Sequence, residues 1–152
     1  MAKLKPRRRK LSAKKAAWDW LSKCIRYSHA SDGIHAACVT CGAVKPWKEL
    51  HAGHFVPKKA GSMVAYAVEN IHPQCPRCNM FESGNLHNYD MYMEWEYGRG
   101  VINRLREMRG VIMNWKACDY DEMAAYYREQ FERMKRDRAE GITGKLEVIP
   151  WA

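Results

Sequence analysis

The sequence predicts a small mixed α+β protein: a core tied together by cysteines, with one helix before it and a mostly helical tail after it. Two Cys-x-x-Cys pairs, Cys38/Cys41 and Cys75/Cys78, enclose most of the predicted core. Apolar residues recur at helical spacing before the first pair and after the second. Between the pairs, the apolar stretches are short and are interrupted by Pro and Gly, which is typical of strands and turns. Together these observations predict α+β architecture with the helices at the two ends.

Charge predicts a polyanionic partner. The 152 residues are enough for one domain and contain 26 Lys plus Arg against 17 Asp plus Glu, for a net charge of +9. Residues 1–10 form a basic arm without any acidic residue, in which Arg7, Arg8 and Arg9 can neutralise phosphates. A solvated tail is the alternative for this arm. The excess charge favours DNA as the partner.

Nothing in the sequence predicts a membrane partner. No run of eighteen apolar residues is present. The basic start of the chain leads into a charged segment containing Trp18 and Trp20, not into an apolar signal core. We therefore expect a cytoplasmic protein.

Local signals place the first elements. Ser12 is a suitable N-cap for a helix over 11–29. Residues 47–56 predict a strand, 57–61 a basic loop, and 63–68 a second strand. The second cysteine pair is expected to lead directly into a helix, after a turn favoured by its prolines.

A core predicted over 11–88 is followed by a helical extension over 89–140 and a loosely held tail over 141–152. Glycines 98, 100 and 110 predict breaks in the extension. Its last helix is predicted to begin at a cap supplied by Asp119 or Asp121. One side of that helix is apolar and contains Met123, Tyr126, Tyr127, Phe131 and Met134. This face fits packing on the core or a homodimer contact, and both stay open.

The two cysteine pairs predict a structural zinc site. The 33 residues between Cys41 and Cys75 leave room for a β-hairpin, and four thiolates complete a tetrahedral Zn²⁺ shell. Gly42 suits the positive φ of a metal knuckle. Because a Cys₄ ion has no open position for water, this zinc is expected to be scaffold and not catalyst. The remaining Cys24 and Cys118 are predicted to be small buried side chains.

Polar residues typical of metal-dependent phosphodiester cleavage gather around the zinc cysteines. They are His51, His54, Asn70, His72 and Asn79. Such cleavage needs a neutral base to activate water and a divalent cation with open positions. An imidazole can act as the base, and a His or carboxylate together with an Asn oxygen can hold the cation. We expect folding to bring several of these side chains close together.

The order of the motifs resembles the zinc-containing branch of the His-Asn-His (HNH, or ββα-metal) endonucleases: Cys-x-x-Cys-Gly, Gly-His, Asn-Ile-His, then Cys-x-x-Cys-Asn. More narrowly, residues 38–89, with AGHF, ENIHPQC, CN and SGN before Tyr89, resemble the NinG (Rap) recombination proteins of lambda-like phages. The resemblance implies an HNH core and a metal-dependent endonuclease for branched recombination intermediates, such as Holliday junctions and D-loops, inside the bacterial host.

By position, the resemblance also implies roles. His54 corresponds to the general base, Asn70 to the Asn that pins the loop or orients the base, and Asn79 to the helix residue that ligates the catalytic cation. His51 stands where an acidic ligand is expected, and Glu82 where a Lys commonly follows Cys-Asn. The expected cation is Mg²⁺ or Mn²⁺, and a neutral ligand at His51 shifts the preference toward Mn²⁺, Ni²⁺ or Zn²⁺.

Basic side chains near the predicted site extend the DNA interface. They are Lys45, Lys48, Lys58, Lys59 and Arg77. Trp47 and Phe55, which interleave with them, fit either stacking on unpaired bases or a place in a small core. Two further functions stay open: a zinc protein that binds DNA without cutting it, and an HNH enzyme that nicks ordinary duplex.

Overall fold

A computed structural model describes residues 12–152, which form helices and two small antiparallel sheets. The helices are α1 (Ala13–Ser28), α2 (Ser62–Ala65), α3 (Leu86–Tyr97), α4 (Arg99–Glu107) and α5 (Ala117–Ala139). The strands are β1 (His35–Ala37), β2 (Val44–Pro46), β3 (His51–His54) and β4 (Ile71–Gln74). The mixed α+β class is confirmed. The predicted basic arm with Arg7, Arg8 and Arg9 lies outside the described residues. No helix within 12–152 is both long and apolar enough to cross a membrane.

Strand β3 pairs antiparallel with β4, in a register that sets His51 opposite Gln74 and His54 opposite Ile71. Gly53 in β3 lies directly under Gln74, because a Cβ there would lie 2.0 Å from Gln74 Oε1 and would force the Gln74 side chain to move. The Gln74 side chain therefore fills the space above Gly53. Hairpin β1–β2 forms a separate sheet.

The strand predicted over 63–68 is wrong. Those residues form α2 and the turn after it, and the partner of β3 is β4. The buried Asn70 amide donates to the carbonyl of Val64 (3.0 Å), which folds the segment back on itself. This contact joins residues six positions apart and is invisible to a period-two pattern.

Helix α1 begins as predicted, since Ser12 Oγ accepts a hydrogen bond from the Lys15 amide (3.2 Å). It packs along α5, and their shared core also contains the buried Cys38, Cys75 and Cys78. The α5 face considered above for a homodimer is occupied by this contact: Met123, Tyr127, Phe131 and Met134 are buried and Tyr126 is partly so. A second apolar cluster lies between the loop after β3 and helices α3 and α4.

The tail differs from the sequence-based expectation in two places, and at a third the structure confirms one of two predicted alternatives. Gly98 ends α3 at a φ of +83°, but Gly100 lies inside α4 and breaks nothing. Asp119 accepts from the Lys116 amide (2.7 Å), so Asp119, and not Asp121, caps α5. The C-terminus is not loosely held: Val148 is buried and the Trp151 amide donates to the Tyr127 hydroxyl (3.0 Å).

Candidate functional site

Four cysteine sulfurs converge on one point between hairpin β1–β2 and the end of β4. The Sγ atoms of Cys38, Cys41, Cys75 and Cys78 all lie within 4.8 Å of one another. The closest recorded pair, Cys41 and Cys75, is 3.7 Å apart. A tetrahedral ion with Zn–S bonds of about 2.3 Å requires sulfurs about 3.8 Å apart. The donor set and its spacing therefore fit Zn²⁺. Within residues 12–152, no other group of three or more His, Cys, Asp or Glu side chains converges in this way.

Each knuckle is shaped by its local sequence. Gly42, at a φ of +77°, turns the chain so that its amide donates to the Cys38 carbonyl (2.8 Å). The second pair leads directly into a helical segment, as predicted, but this segment is short and is not an α-helix. It enters a five-residue π-helical segment, Arg77–Phe81, and α3 starts only after Asn85, which adopts a φ of +48°. The Asn85 amide points back and donates to Cys78 Sγ (3.5 Å).

The electrostatics of the four sulfurs also favour a cation. Burial raises the pKa of the Cys38 thiol, but the Thr40 hydroxyl and nearby backbone amides bring the pKa down to about 6. Burial and the other sulfurs raise the pKa of Cys41 to about 12. Four sulfurs this close cannot all be ionised on their own, because each thiolate disfavours the next. A dication supplies the missing positive charge.

His54 ends β3 and lies at the wall of a cleft of about 640 Å³. Its Nε2–H donates to the Ala65 carbonyl (2.9 Å), and its ring stacks on Trp18 with centroids 5.0 Å apart. This bond fixes the tautomer, so the lone pair is on Nδ1. The pKa of His54 is lowered to about 4, mainly because the ring is buried. The hydrogen bond to Ala65 raises the pKa, and the charge of Lys58 lowers it further. The imidazole is therefore neutral at pH 7, as a general base must be.

The cleft in front of His54 is positively charged. Lys14 and Lys15 line it from α1, and Lys58 and Lys59 line it from the loop after β3. Within residues 12–152, no acidic side chain lines this cleft. Trp18 and Tyr66 form its aromatic wall. The arrangement suits a polyanion whose phosphate approaches the imidazole.

Asn70 fixes the loop that orients His54. It is fully buried, and its Oδ1 accepts from the Val56 amide (2.7 Å) while its Nδ2 donates to the carbonyls of Val56 (2.8 Å) and Val64 (3.0 Å). Val64 precedes Ala65, whose carbonyl holds the His54 ring. Asn70 thus acts on His54 through the backbone and does not touch the cleft in which substrate would lie.

His51 and Asn79 form a separate pair at the second knuckle. Asn79 Nδ2 donates to His51 Nδ1 (3.0 Å), so the two residues predicted to hold the catalytic cation do meet. They do not join His54, however. Side chains three positions apart in a strand leave its opposite faces, and three residues span roughly 10 Å. Glu82 lies beside the same knuckle and pairs with Arg77 (3.5 Å).

His72 is held by tyrosines on the face of β4 opposite α1. Tyr89 donates to the Gly53 carbonyl (2.7 Å), so it accepts from His72 Nδ1–H (2.9 Å). Tyr97 then donates to His72 Nε2 (2.9 Å). Burial keeps the pKa of His72 well below its ordinary value. His72 pairs with Gly53 across the sheet, so it stabilises β3 at the residue next to His54.

Comparison with known proteins gives the family. A family profile described as "Bacteriophage Lambda NinG protein" matches residues 1–137. The chain belongs to the NinG family. The relatives include Protein ninG of Escherichia phage lambda and of Salmonella phage P22, each 25% identical over 103 residues. Each alignment covers 68% of this chain and 50% of the relative, so the chain spans about half the length of the curated relatives it matches. No solved structure matches.

The basic residues predicted to contact DNA in this NinG-family chain do not share one surface. Lys58 and Lys59 line the His54 cleft, whereas Lys48 lies over the ring of Trp47 (5.8 Å) in another pocket. Arg77 is paired with Glu82, and Lys45 lies on β2. Trp47 and Phe55 are buried, so both belong to the core.

Trp18, Lys14 and Lys15 were missed by the sequence reasoning as members of the His54 site. A signal for them was present, because Lys14 and Trp18 are four residues apart and share a helix face. What the sequence lacks is any sign that this face of α1 meets the end of β3. For the same reason Tyr89 and Tyr97, which hold His72, were not identified as its partners.

Proposed function

We propose that this chain is a metal-dependent endonuclease of the HNH type that acts on branched DNA, with His54 as its general base. The observation that supports it best is the state of His54. Its imidazole is neutral, and Nε2–H donates to a backbone carbonyl, so Nδ1 is left as the proton acceptor. Four lysines line the same cleft. Membership of the NinG family agrees with this proposal.

In the proposed reaction, His54 Nδ1 takes a proton from water as the water oxygen attacks a phosphorus atom of the DNA backbone. The bond from phosphorus to one bridging oxygen breaks, and that oxygen leaves and takes up a proton from solvent. The cleft lysines neutralise the phosphate and hold it near the base. His51 and Asn79 would hold a divalent cation, which would supply positive charge at the second knuckle, and no step is assigned to it because the two side chains do not join His54.

One observation favours a second candidate function, a zinc protein that binds branched DNA without cutting it. His51 and Asn79 satisfy each other by a hydrogen bond, and the His51 side chain leaves β3 on the face away from His54. The Cys₄ cluster and the lysine-lined cleft serve this function equally well.

Cleavage assays on a four-way junction and a linear duplex of the same sequence, each with Mg²⁺, Mn²⁺ or Ni²⁺, test the proposal. We expect the protein to nick the junction in preference, and H54A to reduce the rate at least about 100-fold, a typical contribution of a general base. Zinc content and junction binding are expected to stay within twofold of the parent, about 0.4 kcal/mol. H35A, which changes an exposed histidine outside the cleft, is the matched control.

The outcomes separate the candidates. Tight junction binding without nicking under any of the three metals supports the non-catalytic protein. Equal nicking of junction and duplex indicates an ordinary duplex nickase. Cleavage by H54A at the parental rate removes His54 from the mechanism.

A further inference from the structure

A second basic surface lies on the side of α1 away from the His54 cleft. Lys23, Lys48 and Lys135 surround a pocket of about 360 Å³ whose aromatic walls are Tyr27, Trp47 and Phe131. We call it the three-lysine pocket. Its lysines come from α1, from the turn before β3 and from α5, so only the folded chain assembles it.

The positive charges of the three lysines are not neutralised by ion pairs with other described residues. Within residues 12–152, none of them pairs with a carboxylate, whereas Arg99, Arg106 and Lys145 on other surfaces all do. Among the described residues no acidic side chain lines the pocket, although Glu129 and Glu132 lie in the neighbouring groove beside Trp20. Instead, each ammonium group lies over an aromatic ring: Lys23 over Trp20 at 4.3 Å, Lys48 over Trp47 at 5.8 Å and Lys135 over Phe131 at 5.7 Å. Cation–π contact of this kind leaves the ammonium charge available to an anion.

The geometry of α1 places the two basic surfaces back to back. Successive residues of a helix turn by about 100°, so Trp18, at the His54 cleft, and Trp20, beside Lys23, leave α1 on nearly opposite sides. A helix with its side chains is only about 10 Å wide. A duplex, with a persistence length of about 150 base pairs, cannot bend sharply enough to touch both sides of it.

We propose that the three-lysine pocket binds the phosphate backbone of a second arm of the branched DNA whose first arm lies in the His54 cleft. The inference rests on the proposed action on branched DNA. It explains why a branched substrate would be preferred over a linear duplex. A linear duplex reaches one surface at a time, and a junction reaches both. Lysine side chains contact a phosphate backbone without reading sequence, and the buried rings of the pocket hold two of these lysines in place.

The test is the salt dependence of DNA binding, measured by fluorescence anisotropy without added divalent metal. The variant K23Q/K48Q/K135Q removes the pocket's charges. Each lost phosphate contact lowers the slope of log K against log salt by about 0.9, so the junction slope should fall by about 2.7. The slope for linear duplex is expected to change by less than about 1, because duplex binding depends on the cleft.

Matched variants make the result specific. R99Q/R106Q/K145Q removes the same net charge from ion-paired positions and is expected to leave the junction slope unchanged. K23R/K48R/K135R keeps the charge and should restore the parental slope, which excludes loss of shape as the cause. In K58Q/K59Q, which alters the cleft, the slopes for junction and duplex should both fall.

If K23Q/K48Q/K135Q and R99Q/R106Q/K145Q give the same salt slope on the junction, the three-lysine pocket is not a DNA-binding surface. This conclusion holds whether or not the parent protein cleaves DNA. A reduced slope in a protein that never nicks DNA overturns the nuclease proposal and leaves the pocket as a DNA-binding surface. Equal losses on junction and duplex overturn the assignment to a second arm.

Discussion

His54 illustrates how packing sets the chemistry of a single residue. The stacked ring of Trp18 would favour a protonated imidazole through its π face, but burial acts in the opposite direction and prevails. The Ala65 carbonyl then selects the tautomer by accepting the Nε2 proton. Burial and one backbone bond together turn an ordinary histidine into a neutral base with a defined acceptor atom.

The pH dependence of cleavage tests this state of His54. A base is active when neutral, so the rate falls as the pH drops through its pKa. With a pKa of about 4, His54 is expected to keep the cleavage rate at pH 5 within about twofold of that at pH 7. With the ordinary histidine pKa of about 6.5, the cleavage rate would instead fall about 25-fold over the same range.

Single-turnover rates between pH 5 and pH 7, with zinc content checked at each pH, measure this profile. K58Q removes a cation that lowers the pKa of His54 and should move the acidic limb toward higher pH. A limb centred near the ordinary histidine value in the parent protein would show that His54 is not buried in the working enzyme.

At the scale of elements, the loop from β3 to β4 is held by one side chain. Asn70 makes three buried hydrogen bonds to the backbone of Val56 and Val64, and residues of α3 and α4 close over that loop from outside. The loop has no sheet ladder of its own, since α2 and two single turns replace the predicted strand. Its conformation therefore depends on Asn70, and through Ala65 so does the orientation of His54.

N70A is expected to lower the free energy of unfolding by about 2–4 kcal/mol, because it leaves three buried backbone groups without partners. Junction cleavage should fall together with stability, while zinc content stays unchanged, because the cysteine cluster does not depend on this loop. Urea unfolding and zinc analysis measure the two effects. N88A, which removes an exposed amide that bonds only to Asn85, should cost less than about 0.5 kcal/mol. Similar losses for N70A and N88A would contradict the role given to Asn70.

At the scale of the whole molecule, the cluster of four cysteines joins two separate parts of the fold. Hairpin β1–β2 supplies one cysteine pair, and the end of β4 with the π-helical segment supplies the other. Both sheets are small, and α1 with α5 completes the same core. Structural zinc in small domains binds with about 10–16 kcal/mol, comparable to the whole free energy of unfolding of a typical protein.

C75S is therefore expected to lose zinc and to unfold the core around β4, with a large drop in melting temperature and loss of junction binding. Zinc analysis, circular dichroism and thermal melts measure this. C118S is the matched control, since Cys118 is exposed and lies outside the cluster, contrary to the buried position predicted for it. Retention of one zinc ion and of the parental melting temperature in C75S would contradict a Cys₄ scaffold.

The sequence by itself determined the parts whose chemistry is local. The spacing of Cys38, Cys41, Cys75 and Cys78 was enough to predict that the four cysteines converge. Ser12 was enough to predict the start of α1, and the motif order was enough to predict the family. A helix cap depends on residues a few positions apart, and a tetrahedral metal site can be recognised from cysteines that occur in closely spaced pairs.

Only the tertiary structure decided which side chains share a surface. It placed Trp18, Lys14 and Lys15 beside His54. It showed that the strand paired with β3 is β4 and that His51 and His54 leave opposite faces of β3. It also assembled the three-lysine pocket from α1, the turn before β3, and α5. The physical reason is that these contacts join residues far apart in the chain, and hydrophobic burial, which drives the packing, is not directional. Local patterns show which faces are apolar but not which faces meet.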